Sequence, residues 1–217
     1  MDYIRVYLEK TIVFNGYENM KSKDWLNRQK KDFYVKKAIK KGYLSRAAYK
    51  LIEIDNKFKI LEKSSKVLEF GAAPGGWSQV ALDINPEIEI TAIDLLDLKI
   101  NHPQIIFFKE DYLKFNYNKK KDYFDLILSD IAPNTTGHQS TDHLKISQLI
   151  FEIIERLELI LNNKGSFIFK IWKGEEEKEI IKKLKLKFKK VDYFKPKSSR
   201  QESSEIFIVA REFKLNE

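Results

Sequence analysis

Short apolar runs and amphipathic stretches alternate along this chain from residue 66 onwards. The apolar runs have the length of buried strands, and the longer stretches repeat their hydrophobic positions with the period of a helix. Strands that alternate with helices form a mostly parallel sheet with helices on both faces, so the pattern predicts an α/β fold. The predicted strands are 66–70, 88–93, 104–108, 123–129, 165–172, 188–194 and 205–210, and the predicted helices are 77–82, 144–161 and 175–186.

The connection between the last two predicted strands differs from the others. Residues 195–204 separate them and have no helical pattern. A parallel crossover usually needs about a dozen residues or more, so this short connection favours an antiparallel pair. We therefore expect a mostly parallel seven-stranded sheet with one antiparallel strand near the C-terminus.

The residues before the first predicted strand are expected to form helices. A basic stretch from Lys23 to Lys41 predicts a helix that Gly42 ends. Ser45 is the expected N-cap of a second helix that runs to Phe58. Residues 1–22 show no firm periodicity and predict a loose extension. We expect residues 23–217 to form one domain, with N-terminal helices at 23–60 and an α/β core at 66–211.

Composition excludes several classes of protein. The chain has 217 residues, which fits one domain, and 43% of them are hydrophobic, which is enough for a core. It has no cysteine, which excludes a disulfide scaffold, a thiolate metal site and a cysteine nucleophile. No stretch approaches the roughly 18 apolar residues of a membrane span, so we expect no membrane association. The first residues do not follow the order of a secretory signal peptide. Residues 1–20 contain Asp2, Glu9 and Glu18 and do not form an Arg-rich, acid-poor leader, which favours the bacterial cytoplasm over the mitochondrial matrix.

The positive charge is concentrated towards the N-terminus. The formal net charge is +8, and residues 1–66 hold 17 basic and 8 acidic side chains, against 23 and 24 in the remainder. A second basic run extends from Lys182 to Arg200. Such runs are often solvated helix faces, but clustered cations also bind nucleic acid because they release counterions from its phosphates. The candidate RNA-binding residues are Lys30, Lys31, Lys36, Lys37 and Arg46.

Three of the eight glycines fall within residues 71–76, between the first predicted strand and a helix. At this position α/β sheets bind ligands, and glycine lets the backbone approach a ligand closely. The loop matches neither a triphosphate-binding loop nor the spacing of a dinucleotide-binding loop, which disfavours a nicotinamide oxidoreductase. Asp94 and Asp111 follow the next two strands, where carboxylates can accept hydrogen bonds from a ribose diol and an adenine amino group. Taken singly, each is also an ordinary turn residue.

The glycine loop and its flanks carry a family resemblance. Glu69-Phe70-Gly71-Ala72-Ala73-Pro74-Gly75-Gly76-Trp77-Ser78-Gln79 resembles motif I of the FtsJ/RrmJ (RlmE) family of ribosomal RNA 2′-O-methyltransferases, with Phe70 in place of a leucine. The resemblance covers residues 25–210, including 45–51 and 129–134. It implies a Rossmann-like class I methyltransferase fold and S-adenosylmethionine as cofactor. The implied cofactor-binding residues are Gly71, Gly75, Gly76, Trp77, Asp94, Asp111 and Asp130.

Lys170 interrupts an otherwise apolar strand, where a lysine is costly to bury unless its amine reaches a cleft or a partner. The same resemblance places it in a catalytic Lys-Asp-Lys-Glu set. The members of that set are Lys50, Asp130, Lys170 and Glu205, with Glu202 as an alternative for the last. A ribose hydroxyl needs a base, and a lysine can serve if burial or another cation lowers its pKa. We expect Lys170 to be that base, with its pKa lowered by Lys50, and the two carboxylates to position Lys50 and the ribose.

The resemblance also implies a substrate. It points to a uridine in the A loop of the peptidyl-transferase centre, in ribosomal RNA of the large subunit. The compact chain favours this target over transfer RNA and messenger RNA caps, which stay as alternatives together with a non-catalytic ribosome-assembly factor. Methylation of a base carbon needs a cysteine, and methylation of an exocyclic amine uses a motif that residues 130–133 do not match.

The remaining expectations concern metals, a loop and assembly. His102, His138 and His143 are interpreted as loop residues that are not spaced as metal ligands, so no metal is expected. The loop at 134–138 is expected to close over the substrate. We expect the protein to act as a monomer.

Overall fold

The structure is a computed structural model that describes residues 30–117, 123–131 and 139–215, and only the backbone of residues 139–142. The predicted extension at 1–22, the start of the helix predicted from Lys23, and the loop at 134–138 lie outside the described residues. The strands are β1 (Lys66–Phe70), β2 (Glu89–Asp94), β3 (Ile105–Lys109), β4 (Phe124–Ser129), β5 (Leu161–Trp172), β6 (Phe188–Phe194) and β7 (Glu205–Phe213). The helices are α1 (Phe33–Lys41), α2 (Ala48–Phe58), α3 (Gly76–Ile84), α4 (Gln139–Ile160) and α5 (Glu177–Lys187), with a short 3₁₀ helix at Leu61–Lys63.

The described strands form one sheet in the order β3-β2-β1-β4-β5-β7-β6. β1 to β5 pair in parallel. β7 lies between β5 and β6 and runs antiparallel to both, so that Ile208 pairs with Phe169 on one side and with Tyr193 on the other. The seven-stranded, mostly parallel sheet with a single antiparallel strand is therefore confirmed.

Helices cover both faces of the sheet, as the alternating pattern predicted. Neighbouring residues of β1 face opposite ways: Leu68 belongs to the core under α4 and α5, and Val67 belongs to the core under α2 and α3. Both side chains are fully buried. A strand buried on both faces needs apolar residues at successive positions, which explains the continuous apolar runs in the sequence.

The sheet also determines where a ligand can bind. Its strand order reverses between β1 and β4, because β2 and β3 lie on one side of β1 and the remaining strands on the other. In parallel α/β sheets the crevice at such a reversal, at the carboxyl ends of the strands, is the usual ligand site. The glycine loop, Asp94 and Asp130 all follow or end strands at this edge.

The helix predicted from Lys23 to Lys41 is interrupted at Asp32. A helical stretch ends at Lys31, and α1 begins at Phe33. The Asp32 backbone is extended, and its Oδ1 accepts hydrogen bonds from the backbone N–H groups of Tyr34 (2.9 Å) and Val35 (3.2 Å). Asp32 is thus an N-cap, which the basic pattern around it concealed.

The prediction that Ser45 caps the second helix is wrong. That helix, α2, begins at Ala48 after a turn, and its capping residue, Ala47, makes no side-chain hydrogen bond. Ser45 packs against the glycine loop instead: a Cβ atom at Gly76 would lie 2.4 Å from the Ser45 hydroxyl oxygen. Ser45 thus contacts a segment that is distant in sequence and does not cap the helix. The helix ends at Phe58 as predicted.

Two elements are longer than the hydrophobic pattern indicated. β5 begins at Leu161, which pairs with Phe124 before the register shifts and Ser166 pairs with Leu126. α4 begins at Gln139, so that His143 lies on a helix and is not a loop residue. No helix in the described part of the chain is long and apolar enough to cross a membrane.

Candidate active site

The glycine loop connects β1 to α3 in a conformation that side chains would obstruct. Gly71 and Gly75 have φ values of 71° and 116°, in the region that favours glycine. A Cβ atom at Gly71 would lie 2.7 Å from Ile131 Cγ1, and one at Gly75 would lie 2.6 Å from Ile100 Cγ2. The loop therefore requires glycine at both positions.

Asp94, at the end of β2, stabilises this loop. Its Oδ2 accepts a hydrogen bond from the Ala73 N–H and its Oδ1 accepts one from the Leu96 N–H, each at 2.8 Å. Burial raises the pKa of Asp94, while these backbone donors oppose the increase. Each carboxylate oxygen has a second lone pair, so the side chain can still accept hydrogen bonds from a ribose diol. Asp111 follows β3 and accepts the Leu113 N–H at 3.0 Å, as a turn residue does.

Trp77 lies in the first turn of α3, but its indole faces the interior. The side chain packs against Phe207, its Nε1 donates a hydrogen bond to the Ala47 carbonyl at 2.8 Å, and the residue is 3% exposed. Any contact of Trp77 with a cofactor must therefore come from its main chain. The N–H groups in the first turn of a helix have no partner within the helix and can bind an anionic group.

Glu69 is a buried carboxyl directly beneath the glycine loop. Ser78 of α3 donates a hydrogen bond to its Oε2 at 2.5 Å. Burial raises the pKa of Glu69 to about 8, and the nearby charges of Asp94 and Asp130 act in the same direction, against the Ser78 hydrogen bond. The carboxyl of Glu69 is therefore mostly protonated at neutral pH, and a negative charge at this edge of the sheet must come from Asp94 and Asp130.

We expect Glu69→Gln to change how stability depends on pH. The folded-state pKa of about 8 is above that of an unfolded glutamate, about 4.3. Glu69 therefore contributes stability at low pH and loses it as the pH rises between these values, at up to about 1.4 kcal/mol per pH unit. Urea unfolding from pH 5 to 9 should show the variant gaining stability relative to the unmodified protein as the pH rises. Glu87→Gln, an exposed control, should show no such gain, and parallel curves for Glu69→Gln would contradict the expectation.

The four residues of the predicted catalytic set converge at the carboxyl edge of the sheet. Lys170 Nζ donates hydrogen bonds to Asp130 Oδ1 and to the Asp130 main-chain oxygen, both at 2.8 Å. Lys50 Nζ lies 3.6 Å from Asp130 Oδ2 and 2.8 Å from Glu205 Oε2. The alternative residue Glu202 is exposed on the loop before β7. The structure thus brings together a continuous Lys170–Asp130–Lys50–Glu205 cluster from α2, the end of β4, β5 and β7.

The electrostatics of the cluster follow from its alternating charges. Burial opposes the charged form of Lys50, but Asp130 and Glu205 outweigh it and raise the pKa of Lys50. Burial also favours the neutral form of Asp130, but Lys170 and Lys50 outweigh it and hold the pKa of Asp130 below its usual value. The carboxylate of Asp130 lies between the two amines, so the expectation that Lys50 tunes Lys170 directly stays a prediction.

A cavity opens beside this cluster. Its volume is about 230 Å³. It is lined by Arg46, Ala47, Lys50, Ser199, Arg200, Ser203 and Glu205. It combines cations with serine hydroxyls, which are groups that bind phosphate and sugar oxygens.

The candidate RNA-binding residues divide into two groups. Lys30, Lys31, Lys36 and Lys37 are exposed, and Lys37 Nζ lies 4.6 Å from the centroid of the Tyr49 ring. Arg46 instead binds within the protein, through an ion pair with Asp32 and a hydrogen bond to the Ser198 carbonyl.

Several residues near the cluster do not stand out in the sequence. Ser199 donates a hydrogen bond to Glu205, and Arg200 lines the cavity and lies 3.7 Å from Asp32. Neither stands out in a loop that lacks periodicity. His143, interpreted as a loop residue, pairs with Glu176 at 2.7 Å and lines a second cavity of about 530 Å³. In the described part of the chain no group of three His, Cys, Asp or Glu side chains could hold a metal ion.

The fold and the arrangement at its carboxyl edge define a Rossmann-like methyltransferase. A Plasmodium falciparum protein whose crystal structure is described as that of a ribosomal RNA methyltransferase has a similar fold, with a TM-score of 0.67 and 32% sequence identity. The similarity covers 78% of this chain and 97% of that one.

The chain belongs to the FtsJ-like methyltransferase family, whose family model matches residues 43–213. Ribosomal RNA large subunit methyltransferase E of Rickettsia bellii is 44% identical over 199 residues, which cover 87% of this chain and 88% of the relative. The protein of the same name from Wolbachia of Brugia malayi is 42% identical over 206 residues, 91% of either chain. The family resemblance of the glycine loop and its flanks is therefore confirmed.

Proposed function

We propose that this protein transfers a methyl group from S-adenosylmethionine to the ribose 2′-hydroxyl of a uridine in large-subunit ribosomal RNA, in the A loop of the peptidyl-transferase centre. The observation that carries the proposal is the Lys170–Asp130–Lys50–Glu205 cluster at the same sheet edge as the glycine loop. The relatives named as methyltransferases of large-subunit ribosomal RNA support the substrate class. With that substrate, we expect the protein to act in the cytoplasm, as a monomer.

The residues around the glycine loop fit S-adenosylmethionine. When bound, this cofactor supplies an electrophilic methyl group on a sulfonium. The carboxylates of Asp94 and Asp130 suit its positively charged groups, and the N–H groups in the first turn of α3 suit its carboxylate. Asp94 has free lone pairs for the ribose diol, and we propose that Asp111 binds the adenine amino group. Gly71, Gly75, Gly76 and the Trp77 main chain provide close backbone approach.

Lys170 is the proposed base. Lys170 is paired with Asp130 as an ammonium, and once it has lost one proton to solvent its amine has two N–H bonds and one lone pair. The two oxygens of Asp130 at 2.8 Å from Lys170 Nζ accept both N–H bonds, so the lone pair is left for the proton of the ribose hydroxyl. Proton transfer to a positioned base of this kind typically contributes about 10²- to 10⁴-fold to a rate.

Lys50 and Glu205 are proposed to hold the ribose in place. Two carboxylates keep the Lys50 amine protonated, since they raise its pKa. Its ammonium borders the 230 Å³ cavity beside Glu205, so it can donate to a ribose or phosphate oxygen there. Holding the hydroxyl in line with the methyl group removes much of the entropic cost of bringing two molecules together.

The exposed N-terminal lysines are the proposed RNA-binding part, within helices at 23–60 that precede the core at 66–211. Changing Lys30, Lys31, Lys36 and Lys37 together to alanine should weaken RNA binding. The slope of log affinity against log salt should become shallower by about 3, because RNA releases fewer counterions on binding when four lysine–phosphate contacts are missing. Cofactor affinity should not change. Filter binding across a salt series measures the slope.

The control for that variant has the same change in net charge. Four exposed lysines outside the basic stretches at 23–41 and 182–200, namely Lys63, Lys164, Lys178 and Lys214, are changed to alanine together. Their variant should keep nearly the original slope. Equal slopes for the two variants would mean that only net charge matters and would contradict the proposed surface.

The function itself is tested by incubating the protein with radiolabelled S-adenosylmethionine and four RNA samples. The samples are large ribosomal subunits, free ribosomal RNA, transfer RNA and capped messenger RNA, and the labelled nucleotide is then mapped. Label on a 2′-O-methyluridine of the A loop supports the proposal. Label confined to transfer RNA or the cap overturns the target, and absence of label with retained RNA binding indicates a non-catalytic assembly factor. Calorimetry with S-adenosylhomocysteine and NAD separates a methyltransferase from an oxidoreductase.

A further inference from the structure

The loop between β6 and β7, residues 195–204, is fixed to the N-terminal helices. Glu53 of α2 accepts hydrogen bonds from the backbone N–H groups of Lys197 (2.5 Å) and Ser198 (3.1 Å). Arg46 donates to the Ser198 carbonyl on the other side, and its guanidinium is paired with Asp32. Hydrogen bonds from two sides therefore hold the loop backbone at Lys197 and Ser198, directly before Ser199.

Ser199 is aimed at the catalytic cluster. It is 7% exposed, and its hydroxyl donates a hydrogen bond to Glu205 Oε1 at 2.8 Å. The other oxygen of that carboxylate, Oε2, accepts from Lys50 Nζ at the same distance. Each Glu205 oxygen thus has one strong donor, and the two donors together fix the rotation of the carboxylate.

We propose that Ser199 is a positioning residue for the methyl-transfer reaction: it orients Glu205 so that Glu205 holds the Lys50 ammonium against the ribose. The expected change in kcat rests on the proposed function. The expected change in the contact between Lys50 and Glu205 does not. Ser199 does not touch the reacting atoms and acts through Glu205. Glu53 lies on the same helix as Lys50 and binds the loop, so it fixes the position of the loop relative to Lys50.

The neighbouring serine shows that burial in this loop does not by itself require a hydrogen bond. Ser198 is fully buried, and its hydroxyl has no hydrogen-bond partner among the described residues. The Ser199–Glu205 hydrogen bond is instead made to a charged acceptor, which gives a stronger bond than a neutral one. Loss of the Ser199 hydroxyl would leave Glu205 Oε1 without that donor and the carboxylate free to rotate away from Lys50.

Ser198 therefore provides a matched control. Ser199→Ala and Ser198→Ala remove the same hydroxyl from adjacent buried positions, one with a partner and one without. We expect Ser199→Ala to lower kcat about tenfold relative to Ser198→Ala, as for loss of a hydrogen bond to a charged group. Both variants should stay fully folded at the assay temperature with the same KM for S-adenosylmethionine, and Ser199→Thr, which keeps the hydroxyl, should restore most of the rate.

Several outcomes would overturn the inference. They are equal kcat values for the two alanine variants, a loss of rate that parallels a loss of Tm, or a threonine variant as slow as the alanine variant. Crystal structures of both alanine variants provide a readout that does not depend on the substrate. The 2.8 Å contact between Lys50 and Glu205 should be lost in Ser199→Ala and kept in Ser198→Ala. A wild-type protein that methylates no RNA overturns the proposed function, whereas an unchanged contact in Ser199→Ala overturns this inference.

Discussion

Lys170→Ala is expected to abolish methyl transfer, with a loss of about a thousandfold or more in kcat, because the variant has no base beside the ribose hydroxyl. The affinity for S-adenosylhomocysteine should stay nearly unchanged, since the hydrogen bonds described for the Lys170 amine are made to Asp130, and Asp130 and the glycine loop both remain in the variant. Single-turnover assays with radiolabelled cofactor measure the rate, and calorimetry measures the affinity. A variant with full turnover would remove Lys170 from the role of base.

Two further variants separate the chemistry of Lys170 from its packing. Lys170→Met keeps the apolar stem in the buried strand and loses only the amine, so it should be as inactive as the alanine variant. Lys164→Ala removes an exposed lysine from the same strand and should be fully active. Activity of Lys170→Met would show that the stem, and not the amine, is what the reaction needs.

Asp130→Asn is expected to cost the most stability of any single change in the cluster. Asp130 pairs with both Lys170 and Lys50, and the amide would leave two partly buried ammonium groups without a negative partner between them. Breaking a buried ion pair on one side destabilises proteins by about 3 kcal/mol or more. Methyl transfer should fall as well, because the amide keeps an acceptor oxygen for Lys170 but loses the negative charge that holds Lys170 and Lys50 on either side of it. Urea unfolding measures the loss of stability.

The difference in stability between Asp130→Asn and the unmodified protein should depend on pH with a definite sign. The pKa of Asp130 is lowered in the folded state, so its contribution is present above the unfolded value of about 3.9 and is lost as the pH falls through the folded value. The gap between Asp130→Asn and the unmodified protein should be constant from about pH 5 to 8 and shrink below about pH 4. Asp192→Asn breaks the partly exposed pair with Arg211 and should cost at most about 1 kcal/mol. A gap that widens towards acid pH would contradict this account.

Much of the fold could be predicted from the sequence because burial on both faces leaves a strong signal. β1 and β6 have the bounds that the apolar runs predicted, and the other strands begin or end within a few residues of them. The short connection at 195–204 predicted the antiparallel β7 through a purely geometric limit on crossovers. The glycine loop and the four members of the catalytic set could be located from the family resemblance of their segments.

The errors have a shared cause. The basic stretch around Asp32 and the position of Ser45 were interpreted by local pattern alone, but both residues also contact distant segments. Asp32 caps α1 and pairs with Arg46, and Ser45 packs against Gly76. Ser199 lies in a loop whose path is fixed by Glu53, and hydrophobic periodicity contains no information about such a path.

The position of β7 has a consequence for synthesis of the chain on the ribosome. β7 is translated after the six other described strands, yet it is inserted between β5 and β6. Until it emerges, β6 has no neighbour in the sheet, and Lys50, translated some 150 residues earlier, lacks the carboxylate of Glu205. Domains generally fold as units as the chain emerges, so this one should complete its described sheet and the proposed catalytic cluster in the same step. A chain that stops before β7 would hold Lys50, Asp130 and Lys170 but would lack the carboxylate that pairs with Lys50.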